Sequence, residues 1–134
     1  MSTALGRLTQ RSEFLRVAAA RRKWAAPGLV LQACPPADPD APGPPRVGFT
    51  ATRKIGGAVV RNRARRRLRS AVAEVLPAFG VGGWDYVVVA REGTVSRPFA
   101  ELVGDLRAAL RRVNPREAAG PEQRVPEQAR TDQP

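Results

Sequence analysis

A run of basic residues between positions 46 and 69 constrains this chain more than any other segment. It contains nine lysines and arginines and no acidic residue, and six of the arginines fall within positions 61–69. At about 100° per residue, the apolar side chains of this region cluster on roughly a third of a helix circumference. That apolar stripe consists of Val60, Ala64, Leu68, Ala71, Val72 and Val75. The pattern predicts an amphipathic helix from about Ala58 to Leu76, with its opposite face strongly cationic.

The spacing of these arginines indicates that the cationic face has an anionic partner. Like charges four residues apart on a helix repel each other. The pairs with this spacing are Arg61 and Arg65, Arg65 and Arg69, and Arg63 and Arg67. The net charge of +11 favours a polyanion, with nucleic acid as the first candidate and an anionic membrane surface as the second. A solvated face or a localisation signal is the alternative, although solvated faces usually mix both signs of charge.

A glycine pair separates Arg53 and Lys54 from the basic helix. Glycine allows the backbone to approach a ligand closely, and a helix N-terminus attracts phosphate. Gly56-Gly57 therefore fits a phosphate contact, but a simple turn between a strand and a helix explains the pair equally well.

The reactive side chains argue against catalysis by the protein itself. The chain has no histidine and one cysteine, Cys34, which excludes an internal disulfide and a zinc site. A protein-only nuclease needs clustered carboxylates, whereas Glu74, Asp85 and Asp105 are scattered. No apolar run approaches the roughly 20 residues of a membrane span, and no secretory signal is apparent. We therefore predict a cytoplasmic protein without catalytic residues.

The remaining sequence predicts three strands and two further helices. Six prolines between positions 34 and 45 exclude regular structure and predict a loop. Pro77 and Gly80 are expected to end the basic helix. The other predicted elements are a helix over 7–22, a strand over 28–33, a strand from Val47 to Thr52, a strand from Tyr86 to Ala90 and a helix from Phe99 to Val113.

This order of elements, α-β-β-α-β-α, predicts the α+β class. We expect a two-layer sandwich in which a small central sheet is packed by about three helices. Residues 1–113 are predicted to form a single RNA-binding domain. Residues 114–134 consist mostly of Pro, Gln, Glu, Arg and Ala. They have too little apolar surface to offset the entropy of ordering, which predicts a disordered C-terminal tail.

Several of these segments together resemble one known family. Arg61-Asn62-Arg63, within the segment 53–69, resembles the "RNR" signature of the bacterial ribonuclease P protein component. The segment 46–50 is similar to the family's strand before this signature, and 84–91 is similar to its later Asp-aromatic-aliphatic-Ala-Arg strand. The resemblance covers about residues 5–113. It is specific, because the signature, its upstream glycine turn and the later strand occur in the family's order.

The resemblance implies a function and a topology. It implies the accessory protein subunit of ribonuclease P, an RNA-based endoribonuclease that removes the 5′ leader from precursor tRNA. The catalytic groups, and most of the magnesium, would belong to the ribonuclease P RNA. That RNA and precursor tRNA would be the partners, with no membrane and no obligate protein partner. A left-handed crossover between the strands flanking the basic helix is also implied, whereas general rules favour the right-handed form.

The resemblance assigns residues to two RNA surfaces. It implies a cleft for the leader between the first helix and the sheet, where Phe14 matches a family aromatic. Ala18 and Gln32 stand where other members have aromatics, and each stacked base contributes about 1–3 kcal/mol. Phe14, Gln32 and Phe49 are the leader-binding candidates, with core packing as the alternative for the phenylalanines. A metal ion is expected near Asn62. The residues implied to contact the catalytic RNA are Arg53, Lys54, Arg61, Asn62, Arg63, Arg65, Arg66, Arg67 and Arg69.

A ribosomal protein or a ribosome-assembly factor that binds structured ribosomal RNA is the alternative function. The basic helix fits both hypotheses equally well. The ordered signature and the later strand favour ribonuclease P. The RNA that co-purifies with the chain would discriminate between them, since ribosomal RNA supports the alternative and one folded RNA of another kind supports ribonuclease P.

Overall fold

The computed structural model describes residues 5–40 and 43–115. Within them, the strands form one mixed sheet in the order β1-β4-β5-β3-β2. The predicted α+β class, with a small central sheet and three helices, is confirmed. The strands are β1 (Gly6–Arg7), β2 (Arg22–Ala25), β3 (Leu29–Cys34), β4 (Arg46–Thr50) and β5 (Asp85–Ala90). The helices are α1 (Arg11–Ala19), α2 (Ala58–Phe79) and α3 (Phe99–Val113), with short 3-10 turns at Arg53–Ile55 and Glu92–Thr94.

The crossover unit lies at the centre of the sheet. β4 and β5 are adjacent and parallel, with Val47 opposite Tyr86 and Phe49 opposite Val88. α2 connects these two strands, and β3 pairs antiparallel with the other side of β5. The basic helix is therefore the crossover helix, and its left hand stays an expectation from the family resemblance.

The two faces of the sheet are covered differently. Successive side chains of a strand point to opposite faces, so Tyr86 and Val88 of β5 join a large core beneath α2 and α3. Val87, between them, joins a small second core beneath α1, together with Val17 and two other buried residues. We call these the α2/α3 face and the α1 face. The uninterrupted apolar run in β5 is explained by burial on both sides, as predicted.

The N-terminal part of the chain differs from its prediction. The predicted helix over 7–22 is shorter, because α1 spans only Arg11–Ala19. Two edge strands, β1 and β2, occupy the flanking segments. Arg21 has a φ of 58°, a left-handed conformation that a helix cannot continue. The chain therefore turns there and enters β2, which pairs with β3.

The apolar stripe of α2 is buried as predicted, but the helix is longer. Ala64, Leu68, Ala71, Val72, Val75 and also Leu76 are buried. Val60 is only half-buried. The prediction that Pro77 ends the helix was wrong, since α2 continues to Phe79 with Pro77 inside its last turn. Pro77 removes one helical hydrogen bond there, and the Gly80 N–H closes the helix on the Leu76 carbonyl at 2.7 Å.

The end of α3 is held by a buried hydrogen-bond network around Tyr86. The Tyr86 hydroxyl donates to Asn114 Oδ1 at 2.6 Å and accepts from the Val81 N–H at 3.0 Å. Asn114 Nδ2 donates to the Phe79 carbonyl at 2.9 Å. Burial raises the pKa of Tyr86 to about 12. Asn114, predicted as the first residue of the tail, thus belongs to the folded domain. Residues 116–134 of the predicted tail lie outside the described residues.

The proline-rich loop is close to its prediction. Cys34 belongs to β3, and residues 35–40 and 43–45 form neither helix nor strand. Positions 41–42 lie outside the described residues. The loop therefore joins β3 to β4, as the sequence predicted.

Candidate nucleic-acid interface

The cationic face of α2 points away from the core. The buried stripe against the sheet leaves Asn62, Arg63, Arg66 and Arg69 exposed, and it leaves Arg61, Arg65 and Arg67 half-buried. Because residues four apart lie on one side of a helix, five of the six arginines form two rows, and Arg66 lies between these rows. One row contains Arg61, Arg65 and Arg69. The other contains Arg63 and Arg67.

The first row has local contacts that order its side chains on the β4 side of the helix. Arg61 Nη1 donates to the Gly56 carbonyl at 3.1 Å, and Arg65 Nη1 donates to Asn62 Oδ1 at 3.2 Å. The Arg69 guanidinium lies 5.6 Å from the centre of the Phe49 ring, a cation–π distance. Each contact leaves further guanidinium N–H donors for phosphate, because arginine has five.

Arg67, in the second row, is used inside the protein. It donates a hydrogen bond to the carbonyl of Arg97, which lies just before α3. The Arg97 side chain in turn pairs with Asp105 at 2.6 Å, and Asp105 accepts from the Gly28 N–H at 3.0 Å. Arg67 thus helps to pack α2 against the start of α3, and because its Nε is also buried it has fewer donors left for RNA than the first row.

The turn before α2 requires glycine at its first position. Gly56 has a φ of 144°, and a Cβ there would lie 2.8 Å from the Val60 Cβ. Gly57 has no such restriction, because a Cβ there would meet nothing within 4 Å. This turn brings the exposed Arg53 and Lys54 beside the start of the cationic helix.

Arg53 and Lys54 also line an open groove of about 1040 Å³. Val89 of β5 and Arg91 and Glu92, which follow β5, also line it. Arg91 Nη1 donates to the Ala26 carbonyl at 2.7 Å, which fixes its position. The predicted site residues did not include Arg91. Its signal was present in the sequence, since it ends the segment that resembles the family's later strand.

The structure separates the three leader-binding candidates. Phe14 and Gln32 belong to the α1 face, where the Phe14 ring packs on Gly48 so closely that a Cβ there would lie 2.5 Å from the ring. Phe49 pairs with Val88 and points to the α2/α3 face, next to Arg69. Placing Phe49 in the same cleft as Phe14 was therefore wrong, because the strand alternates its side chains between the faces.

Lys23, which was not among the predicted site residues, shares the α1 face with Gln32. Lys23 of β2 lies directly opposite Gln32 of β3, so both side chains share this face. Lys23 is exposed and adds a positive charge beside Gln32. Ala18, where an aromatic was missing, is exposed on α1.

A buried carboxylate anchors α1 to this face. Asp85 is 1% exposed and accepts hydrogen bonds from Arg16 of α1 at 2.7 Å and from Arg46 of β4 at 2.7 and 2.9 Å. Arg46 also pairs with Glu13 of α1 at 3.1 Å. Burial raises the pKa of Asp85, but the hydrogen bonds and charges of Arg46 and Arg16 outweigh burial and hold it below its ordinary value. These four residues form what we call the Asp85 clamp.

The surroundings of Asn62 do not fit a magnesium ion held by the protein. Asn62 Oδ1 already accepts a hydrogen bond from Arg65, and its neighbours on the helix surface are arginines. Magnesium is usually bound through carboxylates and phosphates. Among the described residues, no three His, Cys, Asp or Glu side chains come together as a metal site.

The described chain also contains no helix that is long and apolar enough to cross a membrane.

The sequence matches one family over almost the whole described chain. The model of the family described as Ribonuclease P matches residues 3–114. The ribonuclease P protein component of Paramagnetospirillum magneticum is 57% identical over 114 residues, which are 84% of this chain and 86% of that protein. The ribonuclease P protein component of Gluconacetobacter diazotrophicus is 52% identical, over 88% of this chain and 99% of that protein.

Solved structures show the same fold. The ribonuclease P protein of Thermotoga maritima has a TM-score of 0.67 at 22% identity, covering 81% of this chain and 98% of that one. The Staphylococcus aureus ribonuclease P protein has a TM-score of 0.64 at 21% identity, covering 81% and 97%. These two similarities concern the fold, whereas the family match and the closer relatives decide membership. The chain therefore belongs to the family of bacterial ribonuclease P protein components.

Proposed function

We propose that this chain binds the ribonuclease P RNA through the cationic face of α2 and assists removal of the 5′ leader from precursor tRNA. Members of its family are protein components of an endoribonuclease. The observation that carries the proposal is the row of Arg61, Arg65 and Arg69. These side chains are ordered by local contacts and still have donors for phosphate. Family membership also favours this function over the ribosomal alternative.

Catalysis and magnesium are assigned to the RNA. The chain has no histidine for general base catalysis. The arginines around Asn62 repel a divalent cation, so magnesium near α2 would need RNA phosphates as ligands. The protein contributes electrostatics instead, because its arginines neutralise phosphates that would otherwise repel the substrate. Since precursor tRNA is its substrate in this proposal, we expect it to act in the cytoplasm.

The leader is assigned to the α1 face. Phe14, Gln32 and Lys23 combine an aromatic ring, an amide and a positive charge on that face. Single-stranded RNA is recognised by stacking and by contacts to its phosphates. Phe14 is partly covered by its packing on Gly48. The positive charge of Lys23 and the amide of Gln32 therefore supply a larger share of the leader contacts than stacking does.

A cleavage assay tests the proposal. A precursor tRNA would be incubated at low magnesium with a bacterial ribonuclease P RNA, with and without the full chain. We expect release of the 5′ leader to depend on the protein, and no cleavage by the protein alone. Binding to the RNA without any stimulation would instead support the ribosomal alternative. Cleavage by the protein alone would overturn the assignment of catalysis to the RNA.

The two arginine rows give a sharper test of the RNA contact. Arg65→Ala should weaken binding to the ribonuclease P RNA and lower the slope of log affinity against log salt by about one unit. Arg67→Ala should leave the slope unchanged and reduce the free energy of unfolding by about 1 kcal/mol, because it removes the hydrogen bond to Arg97. Salt titrations and urea unfolding measure both. An unchanged slope for Arg65→Ala would show that Arg65 faces solvent in the complex.

A further inference from the structure

A second cationic surface lies at the edge of the sheet formed by β2, opposite the edge formed by β1. β2 is the edge strand there, all four of its residues are exposed, and the last turn of α3 packs beside it. Arg22 begins β2 and Arg21 immediately precedes it, and Arg111 and Arg112 lie in the last turn of α3. All four are exposed. We call these four arginines the β2–α3 patch.

Two arginines of this patch are held in place by tryptophans. The Arg112 guanidinium lies 4.5 Å from the centre of the Trp24 ring, and the Arg22 guanidinium lies 5.1 Å from that of Trp84. Arg22 Nε also donates to the Val113 carbonyl at the end of α3. Ordering a long side chain before binding reduces the entropy lost when it binds a ligand. The patch is therefore better prepared for an anion than a set of freely moving surface side chains.

Three arginines of the patch, Arg21, Arg22 and Arg111, form no ion pair within the described part of the chain. The ion pairs there use Glu13, Asp85, Glu101 and Asp105 with other arginines. Charged residues on an edge strand can also serve to prevent aggregation. That role does not explain why Arg111 and Arg112, on a helix, extend the same positive surface.

The patch lies on the same face of the sheet as the basic helix α2, which favours the RNA that binds α2 as its partner. Arg22 pairs with Ala33 and Trp24 with Leu31, so their side chains lie on the α2/α3 face, the face that carries the basic helix. The leader-binding candidates Phe14 and Gln32 lie on the opposite face. β2 is three strands from β4, about 14 Å at the usual strand spacing. A folded RNA on α2 can span this distance without passing around the sheet.

We propose that the β2–α3 patch binds the phosphate backbone of a second segment of the ribonuclease P RNA, distinct from the segment on α2. This inference rests on the proposed function. Arginine forks bind phosphates in pairs of hydrogen bonds, and a duplex is recognised by its backbone rather than its bases. The sequence after the patch offers no competing polyanion, because residues 116–134 carry four acidic and three basic side chains.

Removing charge from the patch tests this proposal. The variant R21Q/R111Q changes two exposed arginines without a salt bridge in the described structure. With the full chain and its cognate ribonuclease P RNA, we expect the slope of log affinity against log salt to fall by about 1 to 2 units, since each phosphate contact contributes about 0.9. Thermal unfolding should show an unchanged Tm, so that a loss of affinity cannot come from misfolding.

The matched control is R7Q/R11Q. It removes the same net charge from exposed residues of β1 and of the first turn of α1, neither of which is assigned to an RNA contact. This control should change the slope by less than about half a unit, because β1 is the opposite edge strand from β2 and α1 covers the other face of the sheet. Equal effects of the two double variants would overturn the proposal in favour of a general charge effect. An unchanged slope for R21Q/R111Q would overturn it directly.

A positional measurement separates this proposal from the proposed function. An iron chelate would be attached to Arg111→Cys, and separately to Arg66→Cys, in a Cys34→Ala chain. RNA cleavage by hydroxyl radicals should occur in two different segments of the ribonuclease P RNA. If only the Arg66→Cys probe cuts the RNA, the patch is not an RNA contact but the function stands. If the unmodified chain fails to bind this RNA at all, the proposed function itself fails.

Discussion

The two faces of the sheet are built in different ways. On the α2/α3 face, residues from several strands and two helices form one continuous buried core. On the α1 face, the buried core consists of Leu8, Val17, Cys34 and Val87, with Phe14 and Val89 partly buried beside it. The first face has enough apolar surface to hold its helices, and the outer sides of those helices are left for charge. The second face keeps part of the sheet itself accessible.

The anchoring of the helices shows the same contrast. α2 is held by a stripe of fully buried apolar side chains. α1 has one buried residue, Val17, and is tied to the sheet by the Asp85 clamp through Arg16 and Glu13. Hydrophobic burial is non-directional, whereas a hydrogen-bonded carboxylate fixes a helix in one position. The α1 face thus gains a defined geometry with little apolar burial.

The largest expected difference between the faces concerns two valines that are equally buried but belong to different cores. Val75 of α2 and Val17 of α1 are both fully buried. Val75→Ala should reduce the free energy of unfolding by about 2 to 3 kcal/mol, and Val17→Ala by about 1 kcal/mol. The reason is that the tightly packed large core around Val75 cannot move to fill the space left by the shorter side chain, whereas α1 and the small core beneath it can. Urea unfolding of both variants measures this difference.

Equal reductions in the free energy of unfolding for Val75→Ala and Val17→Ala would contradict this difference between the two cores. They would show that the small core beneath α1 is packed as rigidly as the large one. The salt dependence of RNA binding should be unaffected in both variants, because neither side chain reaches the surface.

The better-predicted face is also the one with the stronger sequence pattern. The apolar stripes of α2 and α3 follow the helical period over four or more turns, and the apolar run of β5 is uninterrupted. Long periodic segments of this kind indicate their structure locally. The cationic surface of α2 followed directly from the position of its stripe. The contact of Arg67 with Arg97 did not, because it depends on how α2 packs against α3.

The strands that were missed have no local pattern to show. β1 has two residues, and β2 reads Arg-Lys-Trp-Ala with every residue exposed. Both become strands only because β4 and β3 offer edges with which to pair. The face of Phe49 depends on the register between β4 and β5, and a shift of one residue moves a side chain to the other face. A single sequence does not contain that register.

The next expected effect concerns the clamp of the α1 face. Asp85→Asn removes a buried charge from two partly exposed arginines and should reduce the free energy of unfolding at pH 7 by about 2 kcal/mol. The pKa of Asp85 is lowered below its ordinary value of 3.8 in the folded chain. Its stabilising contribution is therefore complete above that value and is lost as the pH falls through the lower pKa of the folded state. Urea unfolding from pH 7 to pH 2 measures it.

The stability of Asp85→Asn relative to the original chain is most informative at acidic pH. The difference between the original chain and Asp85→Asn should shrink as the pH falls below 3.8. Glu74→Gln serves as the control, since Glu74 is an exposed carboxylate on α2 that forms no ion pair in the described structure. It should leave stability nearly unchanged at every pH. A difference for Asp85→Asn that stays constant down to pH 2 would mean that the charge of Asp85 does not stabilise the fold.

The smallest expected effect concerns the packing of Phe14 on Gly48. Gly48→Ala should displace the ring, because its Cβ would lie 2.5 Å from Phe14 Cζ, and reduce the free energy of unfolding by about 1 kcal/mol. Affinity for precursor tRNA should fall relative to tRNA without a leader, while affinity for the ribonuclease P RNA is kept. Gly104→Ala on α3, where a Cβ meets nothing within 4 Å, should instead stabilise the chain by about 0.5 to 1 kcal/mol. If Gly48→Ala leaves the discrimination between the two tRNAs unchanged, the Phe14 ring serves core packing only and the proposed contact of Phe14 with the leader is wrong.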